Sequence, residues 1–337
     1  LVNFNTENKG SGSNEIYYQF NDAKRNMQNS NNAFVGSPAY TKKLNRNISV
    51  GFYAKVRQAL SANQIDQQLS EPSLTRWQIA DVKNLKPTRT TGMVWSEYAA
   101  NFAYGFKNGS KIYSYGINAK VLVGNQAIFI NSPNTATLTK LDSSLGVDAS
   151  ALEYGFTYVD ENFNIKNNGN GFGVDIGLTI QDKNYLDEIN TWKLSLAVSD
   201  LGFVNFKWNS EYHKINTTQF NTIPDSTFAQ TTSIREFSRE LSNVLTSNPN
   251  ATNKGPRFTI YTPTAINFSL DYHLAKNLFA NLHLSRRFIH NPRQIEKENV
   301  IVTSIRYETR FLEFGLPATL YNDKDLRLGA WIRIGPV

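Results

Sequence analysis

Residues 97–123 read EYAANFAYGFKNGSKIYSYGINAKVLV, and this stretch contains the pattern that decides the fold. In its first half every second residue is aromatic or apolar, namely Tyr98, Ala100, Phe102, Tyr104 and Phe106. Successive side chains of a β-strand point to opposite faces, so this spacing predicts a strand with one apolar face. An Asn-Gly pair at 108–109 separates it from a second alternating run, which is a strong hairpin signal.

The same alternation recurs along the chain. The recurring segments are 48–57, 113–123, 152–158, 174–181, 192–199, 266–272, 278–284 and 326–334. Most are longer than the usual five or six residues of globular strands and approach the length of about ten that a tilted membrane strand needs. Their polar faces carry many Gly, Ser and Asn, which suits a wet lumen. The pattern predicts an all-β fold, an antiparallel transmembrane β-barrel of roughly 12–14 strands, and favours it over a soluble β-sandwich.

Composition agrees with strands as the membrane-spanning elements. Hydrophobic residues make up 40% of the 337 residues, and the mean hydropathy is -0.42. We find no run approaching the ~18 apolar residues that a spanning helix needs. A barrel exposes only alternate side chains to lipid, so low mean hydropathy is compatible with it. The net charge of +7 is spread along the chain without a patch or binding motif, so we expect no nucleic-acid partner.

Two stretches interrupt the alternation, and we interpret them as long loops of a single barrel domain over 1–337. The first, 58–91, begins with a polar-rich sequence, and the second, 209–257, is too long for a plain loop. Apolar residues recur at helical spacing in the second stretch: Ile234, Phe237, Leu241 and Val244. We expect a short amphipathic helix there. It rests on the barrel's own loops or contacts a partner, and the first alternative is favoured.

Phase assignment along the strands predicts charges of both signs on the lumen side. The candidates are Glu97, Asp175, Asp271, Arg306, Arg327 and Arg333. They can line a channel or pair with one another, and pairing is favoured because buried charges need partners. Aromatic residues near strand ends are candidates for an interfacial girdle or for ordinary cross-strand packing. These are Tyr104, Phe106, Tyr113, Tyr158 and Tyr272.

The sequence carries none of three common enzyme motifs. The sequence has no HExxH, no Walker A and no Gly-x-Ser-x-Gly elbow, and it has no cysteine. The histidines are scattered, at His213, His273, His283 and His290. The glycines of 169–173 precede a predicted strand and not a helix, so we interpret them as a turn and not a nucleotide loop. We expect no catalytic residue, metal or cofactor.

Several segments resemble a family of outer-membrane barrels. The segments are 95–98, 115–124, 171–177, 263–267, 306–317 and 327–336. They are similar to the Bacteroidota outer-membrane β-barrel family, and distantly to the PorP/SprF barrels of type IX secretion. The resemblance covers most of 92–337, while 1–45 match poorly. It implies an outer-membrane location, and an OmpA-like peptidoglycan-binding domain often follows the barrel in that family.

The two chain ends support further expectations. The chain opens at Leu1 without a signal sequence, which favours a mature or trimmed product. It closes on Pro336-Val337 and not on the terminal aromatic residue typical of bacterial barrels, so we expect an OmpA-like domain to follow beyond 337.

These observations predict a non-enzymatic outer-membrane barrel that acts as a subunit or anchor of a protein assembly. Such an assembly would serve protein export, barrel insertion or peptidoglycan attachment. The expected partners are the lipid bilayer with lipopolysaccharide, other outer-membrane proteins, and peptidoglycan through the expected further domain. The alternative is a porin or a channel for hydrophobic substrates. A soluble or surface β-protein comes third, and a barrel hydrolase is disfavoured because no nucleophile, His and acid can be assembled.

Overall fold

The computed structural model describes residues 3–5, 17–19, 27–37, 39–65, 79–148, 151–158, 166–183, 190–216, 220–288 and 291–335. In these residues the chain is predominantly antiparallel β, with the helix α1 over Ile234–Thr246. The all-β prediction and the predicted helix are therefore confirmed. None of the described helical segments has the length and apolar character to cross a bilayer.

Twenty-two strands are present in the described part of the chain. They are β1 (Asn3–Asn5), β2 (Tyr17–Gln19), β3 (Met27–Gly36), β4 (Tyr40–Lys43), β5 (Ile48–Ile65), β6 (Val82–Leu85), β7 (Thr88–Asn108), β8 (Lys111–Ser132), β9 (Ala136–Lys140), β10 (Ser144–Asp148), β11 (Leu152–Thr157), β12 (Gly169–Lys183), β13 (Asn190–Phe206), β14 (Ser210–Ile215), β15 (Asn221–Pro224), β16 (Phe258–Tyr261), β17 (Ala265–Ala275), β18 (Leu278–Arg287), β19 (Val300–Glu308), β20 (Leu312–Tyr321), β21 (Asp325–Leu328) and β22 (Trp331–Ile334).

One large sheet dominates the molecule. Its continuous path runs β21-β20-β19-β18-β17-β13-β12-β8-β7-β5-β3, with β4, β11, β14, β16 and β22 paired beside it. Within the described residues, no pairing joins the edge formed by β3 and β4 to the edge formed by β21 and β22. Closure into a barrel of 12–14 strands stays a prediction.

The connections at the two ends of this sheet differ in length. At one end β7 passes to β8 through Gly109 in a left-handed conformation, as the Asn-Gly pair predicted. Short connections also join β4 to β5, β17 to β18 and β19 to β20 at this end. At the opposite end, the connections from β5 to β7, β8 to β12 and β13 to β17 are long, while the turn from β20 to β21 is short. We call these the short-turn end and the long-loop end.

The register places one continuous set of apolar side chains on one face. Phe102 pairs with Ile117, which pairs with Ile176 in β12, and Ile305 of β19 pairs with Leu316 of β20. We call this the apolar face and the opposite one the polar face. Exposed side chains of the apolar face include Phe52, Phe102, Ile117, Ile176, Leu196, Ile266, Ile305, Leu316 and Ile332, and we call this set the apolar band. Such a large exposed apolar surface marks an interaction site.

The sheet is strongly curved, so that the polar faces of distant strands meet. Arg57 of β5 contacts Asp200 of β13 at 2.7 Å, although β7, β8 and β12 lie between these strands in the sheet. The backbone N–H of Glu296, in the connection before β19, donates to the Ser61 hydroxyl of β5 at 2.9 Å. Side chains on the concave polar face are buried by one another.

A hydrophobic cluster fills the concave space toward the long-loop end. It combines residues of the sheet with Ile295, which enters from the connection between β18 and β19. Its members are Ala59, Met93, Trp95, Leu122, Ala127, Phe129, Val204, Phe206, Phe258, Ile260 and Ile295. Most of these side chains have almost no exposed surface, so this part of the interior is packed solid.

The predicted loop over 58–91 is wrong at both ends. Strand β5 continues to Ile65, and β7 already begins at Thr88. Polar residues fit these strand extensions because the polar face there is hydrogen-bonded, as between the Thr88 hydroxyl and the carbonyl of Asn63. Residues 66–78 lie outside the described residues. The second predicted loop, 209–257, holds β14, β15 and α1.

Substitution of Gly171 tests the close approach of β12 to β13. A Cβ at this position would overlap the carbonyl oxygen of Phe203, whereas a Cβ at Gly177 would lie 3.6 Å from the Cβ of Ala197. We expect Gly171→Ala to lower the free energy of unfolding by about 3 kcal/mol, because backbone must move. Gly177→Ala is the matched control, and urea unfolding compares the two. Equal stability of both variants would contradict this packing.

Candidate functional site

A cluster of six charged side chains lies on the polar face below the hydrophobic cluster. Lys120 of β8 is at its centre, with its ammonium 2.6 Å from the Asp175 carboxylate, 2.8 Å from Asp200 and 3.6 Å from Glu97. Arg57 contacts Asp200 at 2.7 Å and Glu97 at 3.4 Å. Lys55 contacts Glu97 at 3.1 Å. We call these six residues the ionic network, in which three cations face three carboxylates.

Strand register explains why the network forms. Lys55 pairs with Glu97 across β5 and β7, and Glu97 pairs with Leu122 of β8. The five network residues other than Asp200 occupy strand positions whose side chains point to the polar face. Two of the carboxylates accept further hydrogen bonds. The Tyr53 hydroxyl donates to Glu97 at 2.7 Å, and the Asn118 amide donates to Asp175 at 2.9 Å. Buried charges are stable when paired and hydrogen-bonded in this way.

Asp200 occupies an irregular position that brings its carboxylate into the network. Its φ of 54° is left-handed, and the register between β12 and β13 shifts beside it. Its backbone N–H donates to Asp175 at 2.7 Å, and its carbonyl accepts from the hydroxyls of Thr262 at 2.6 Å and Thr264 at 2.8 Å. Sequence reasoning missed Asp200. Its one signal is an acidic residue that interrupts the alternation of 192–206.

The remaining predicted lumen charges lie on the polar face in separate pairs. Asp271 and Arg306 form a two-pronged contact, with both N–O distances 3.1 Å, and Arg306 also reaches Glu308 at 3.2 Å. Arg333 contacts Glu313 at 2.5 Å. The guanidinium of Arg327 lies 4.7 Å from the ring centroid of Tyr321. Of the six predicted charges, only Glu97 and Asp175 belong to the ionic network.

Four of the five predicted girdle aromatics lie along the sheet toward the short-turn end, and three of them form a group. Phe106 lies 6.0 Å from Tyr104 and 5.1 Å from Tyr113 between ring centroids, and Tyr104 is exposed. Tyr272 is exposed on β17. Tyr158 does not belong to this set. It lies at the long-loop end, where β11 pairs with β14 and packs against α1. There its hydroxyl donates to Glu211, and the Arg235 guanidinium lies over its ring.

The face of α1 that packs against the sheet differs from the predicted apolar stripe. Ser238 and Ser242 are its buried residues, and Leu241 and Leu245 pack on Tyr154 and Phe156 of β11. Ile234 is 43% exposed and Phe237 39% exposed. The small serines allow close approach, and their hydroxyls bond to the carbonyls of Ile234 and Asn248. Val244 is half-buried, so the contact includes the Leu241 part of the predicted stripe and leaves Ile234 and Phe237 outside it.

Helix α1 begins at a capped turn. The Ser233 hydroxyl accepts from the backbone N–H of Glu236 at 3.2 Å. The Glu236 carboxylate accepts in turn from the backbone N–H of Thr232 at 2.8 Å. This reciprocal arrangement satisfies donors that the first helical turn leaves free. It fixes where Ile234 lies relative to the sheet.

His213 of β14 lies buried beside α1, outside the apolar band. Its Nε2 is 3.1 Å from the Glu211 carboxylate and its Nδ1 is 3.1 Å from the Thr252 hydroxyl, while the Tyr154 ring stacks at 4.8 Å. Burial lowers the pKa of His213 below its ordinary value and outweighs the opposing effect of Glu211. This hydroxyl–imidazole–carboxylate series resembles a hydrolytic triad only in composition, because Thr252 is itself buried.

Neither set of residues provides a metal centre. Among the residues that the structure describes, no group of three or more His, Asp or Glu is placed to hold an ion. In the ionic network each carboxylate faces a cation at 3.6 Å or less. Such an arrangement holds distant strands together across the concave face; it has no free base or nucleophile.

Comparison with known proteins shows the family. The model of DUF5723, a family of unknown function, matches residues 1–337, so the chain belongs to this family over its full length. No curated protein and no solved structure matches the chain significantly.

Removal of the central ammonium tests the network. We expect Lys120→Met to lower the free energy of unfolding by about 3–5 kcal/mol, because the buried Glu97 and the partly buried Asp175 and Asp200 lose a shared cation. Lys324→Met, in the exposed turn between β20 and β21, is the control and should change it by less than about 0.5 kcal/mol. Urea titration followed by tryptophan fluorescence measures both. A Lys120→Met protein as stable as the control would show that the network does not hold the strands.

Acid should weaken the packing around His213. An unfolded histidine takes up a proton near pH 6.5, whereas the folded one, with its lowered pKa, does not until lower pH. Stability due to this residue is therefore full above about pH 6.5 and falls by up to about 1.4 kcal/mol per pH unit below it. Thermal unfolding between pH 7.5 and 5.5 should show a smaller decline for His213→Gln than for the parent. His283→Gln is the control, and parallel profiles for all three proteins would refute the assignment.

Proposed function

We propose that the chain is a transmembrane β-barrel of the bacterial outer membrane, which serves as a non-enzymatic subunit or anchor of an outer-membrane protein assembly. The single observation that carries the proposal is the separation of the two sheet faces. One face exposes the apolar band across most strands of the path, and the other holds ion pairs and a packed cluster.

The apolar band has the character expected of a lipid-facing surface. It continues from β5 through β20 in register, and backbone groups within it are paired strand to strand. Hydrocarbon cannot hydrogen-bond to the backbone, so a surface in lipid requires this pairing. Short turns at one end and long loops at the other are typical of outer-membrane barrels, with the long loops outside the cell.

The filled interior supports an anchor or subunit more than an open pore. The hydrophobic cluster and the ionic network occupy successive levels of the concave face, so a passage between the two ends has to displace both. At the long-loop end the chain builds a further four-stranded sheet, β15-β10-β9-β6, and the helix α1. Folded structure of this kind offers a surface for other proteins, in line with the resemblance to barrels of type IX secretion.

A transport function is the second candidate, and one observation favours it. Toward the short-turn end the polar face borders two open spaces of about 600 and 380 Å³. Small and polar residues line them, among them Ser49, Gly105, Asn118, Thr179 and Ser195. This vestibule would become a channel only after both the ionic network and the hydrophobic cluster open.

Purification and conductance separate the two candidates. Tagged protein would be extracted from its native membrane in mild detergent, weighed by native mass spectrometry and searched for co-purifying chains. We expect a heat-modifiable band on gels, stoichiometric outer-membrane or cell-wall partners, and no discrete conductance steps in planar bilayers. A partner-free monomer with reproducible steps would overturn the anchor in favour of transport. Recovery in the aqueous phase without detergent would overturn both.

A further inference from the structure

We infer that the acyl chain of a membrane lipid occupies a groove on the apolar face beneath the start of α1, an inference that rests on the proposed membrane location. The groove encloses about 460 Å³. Its walls come from β5, β7, β8, β11 and the first residue of α1, chiefly Leu60, Gly92, Val94, Ile128, Phe156 and Ile234. This volume lies in the range of ligand-binding pockets, about 300–1,000 Å³.

The groove exists because a glycine stands where neighbouring positions carry side chains. Leu60 pairs with Gly92, and Gly92 pairs with Ile128, so these three residues form one row across the sheet. A Cβ on Gly92 would lie 2.7 Å from the Cδ1 atom of Leu60. Because Gly92 has no side chain, the Leu60 side chain leans over it, and the groove lies between Leu60 and Ile128 with Ile234 on one side.

The position of the groove identifies its occupant as lipid. The next row toward the short-turn end is Gln58, Val94 and Gln126, and beyond it Val56 is exposed at the edge of the apolar band. One row, with the apolar Val94 at its centre, therefore lies between the groove and the surface assigned to lipid, and an acyl chain reaches the groove across Val94.

A peptide is the poorer occupant of this groove. An added strand needs unpaired backbone groups, but β5 pairs with β3 and β7 here, and β8 pairs with β7 and β11. The Thr157 hydroxyl in the lining is already engaged, since it accepts from the backbone N–H of Ala127 at 2.9 Å. An alkyl chain requires only apolar contact, which the lining provides.

Photolabelling tests this inference. The full chain would be reconstituted into phosphatidylethanolamine vesicles that contain a trace of phospholipid with a diazirine near the end of one acyl chain, irradiated, and digested for peptide mapping. We expect label on peptides containing residues 58–60 and 92–94, beyond the general label on 98–106 of the band. Gly92→Leu, which fills the groove, and Ile234→Asn, which makes its wall polar, should each lose most of the groove label.

A matched control is available on the same helix. Phe237 is 39% exposed, close to the 43% of Ile234, but does not line the groove, so Phe237→Asn should keep the label. Label on 98–106 alone, in every variant, would overturn the groove and leave the membrane proposal standing. Absence of label from both regions in protein that does not float with vesicles would overturn the membrane proposal itself. Groove label unchanged in Gly92→Leu and Ile234→Asn would show lipid contact without a specific site.

Discussion

The contact between Arg57 and Asp200 joins β5 to β13 across three intervening strands, and the shape of the molecule depends on it. A flat sheet would hold these side chains more than a dozen ångströms apart, because neighbouring strands lie about 4.8 Å from one another. Curvature therefore brings the charges together, and the paired charges in turn hold the curvature. Since a buried charge without its partner is costly, the network favours this one arrangement of strands over flatter ones.

Register links that polar interior to the apolar exterior. Because side chains alternate, a slip of one residue in any strand would turn its charges outward and its apolar residues inward. One of the irregularities in the described strands lies between Val94 and Trp95, where β8 carries an extra residue. It keeps Val123 and Gln126 on the same face, although they differ by three positions. On the short-turn side of this bulge the apolar face is exposed, whereas on the long-loop side α1 packs over part of it.

The sequence predicts what depends on local periodicity. Alternation finds the strands around Phe102 and Ile117, the Asn-Gly pair finds the hairpin, and helical spacing finds α1. It fails where a distant segment decides the outcome. The glycines of 169–173, interpreted as a turn, lie within β12 because the backbone of β13 approaches Gly171 too closely for any side chain. Asp200 is missed for the same reason: its partners, Arg57 and Lys120, are far away in sequence.

The helix shows how a correct element can carry an incorrect face. An apolar stripe ordinarily marks the buried side of a helix in water, but only part of the stripe of α1 is in contact. Leu241 packs on β11 beside the buried Ser238 and Ser242, while Ile234 and Phe237 are exposed. The proposed membrane location gives a physical reason for the exposed part of the stripe, since there it would extend the apolar band into hydrocarbon. The serine hydroxyls meanwhile donate to the carbonyls of Ile234 and Asn248, so neither hydroxyl lacks an acceptor at the contact with β11.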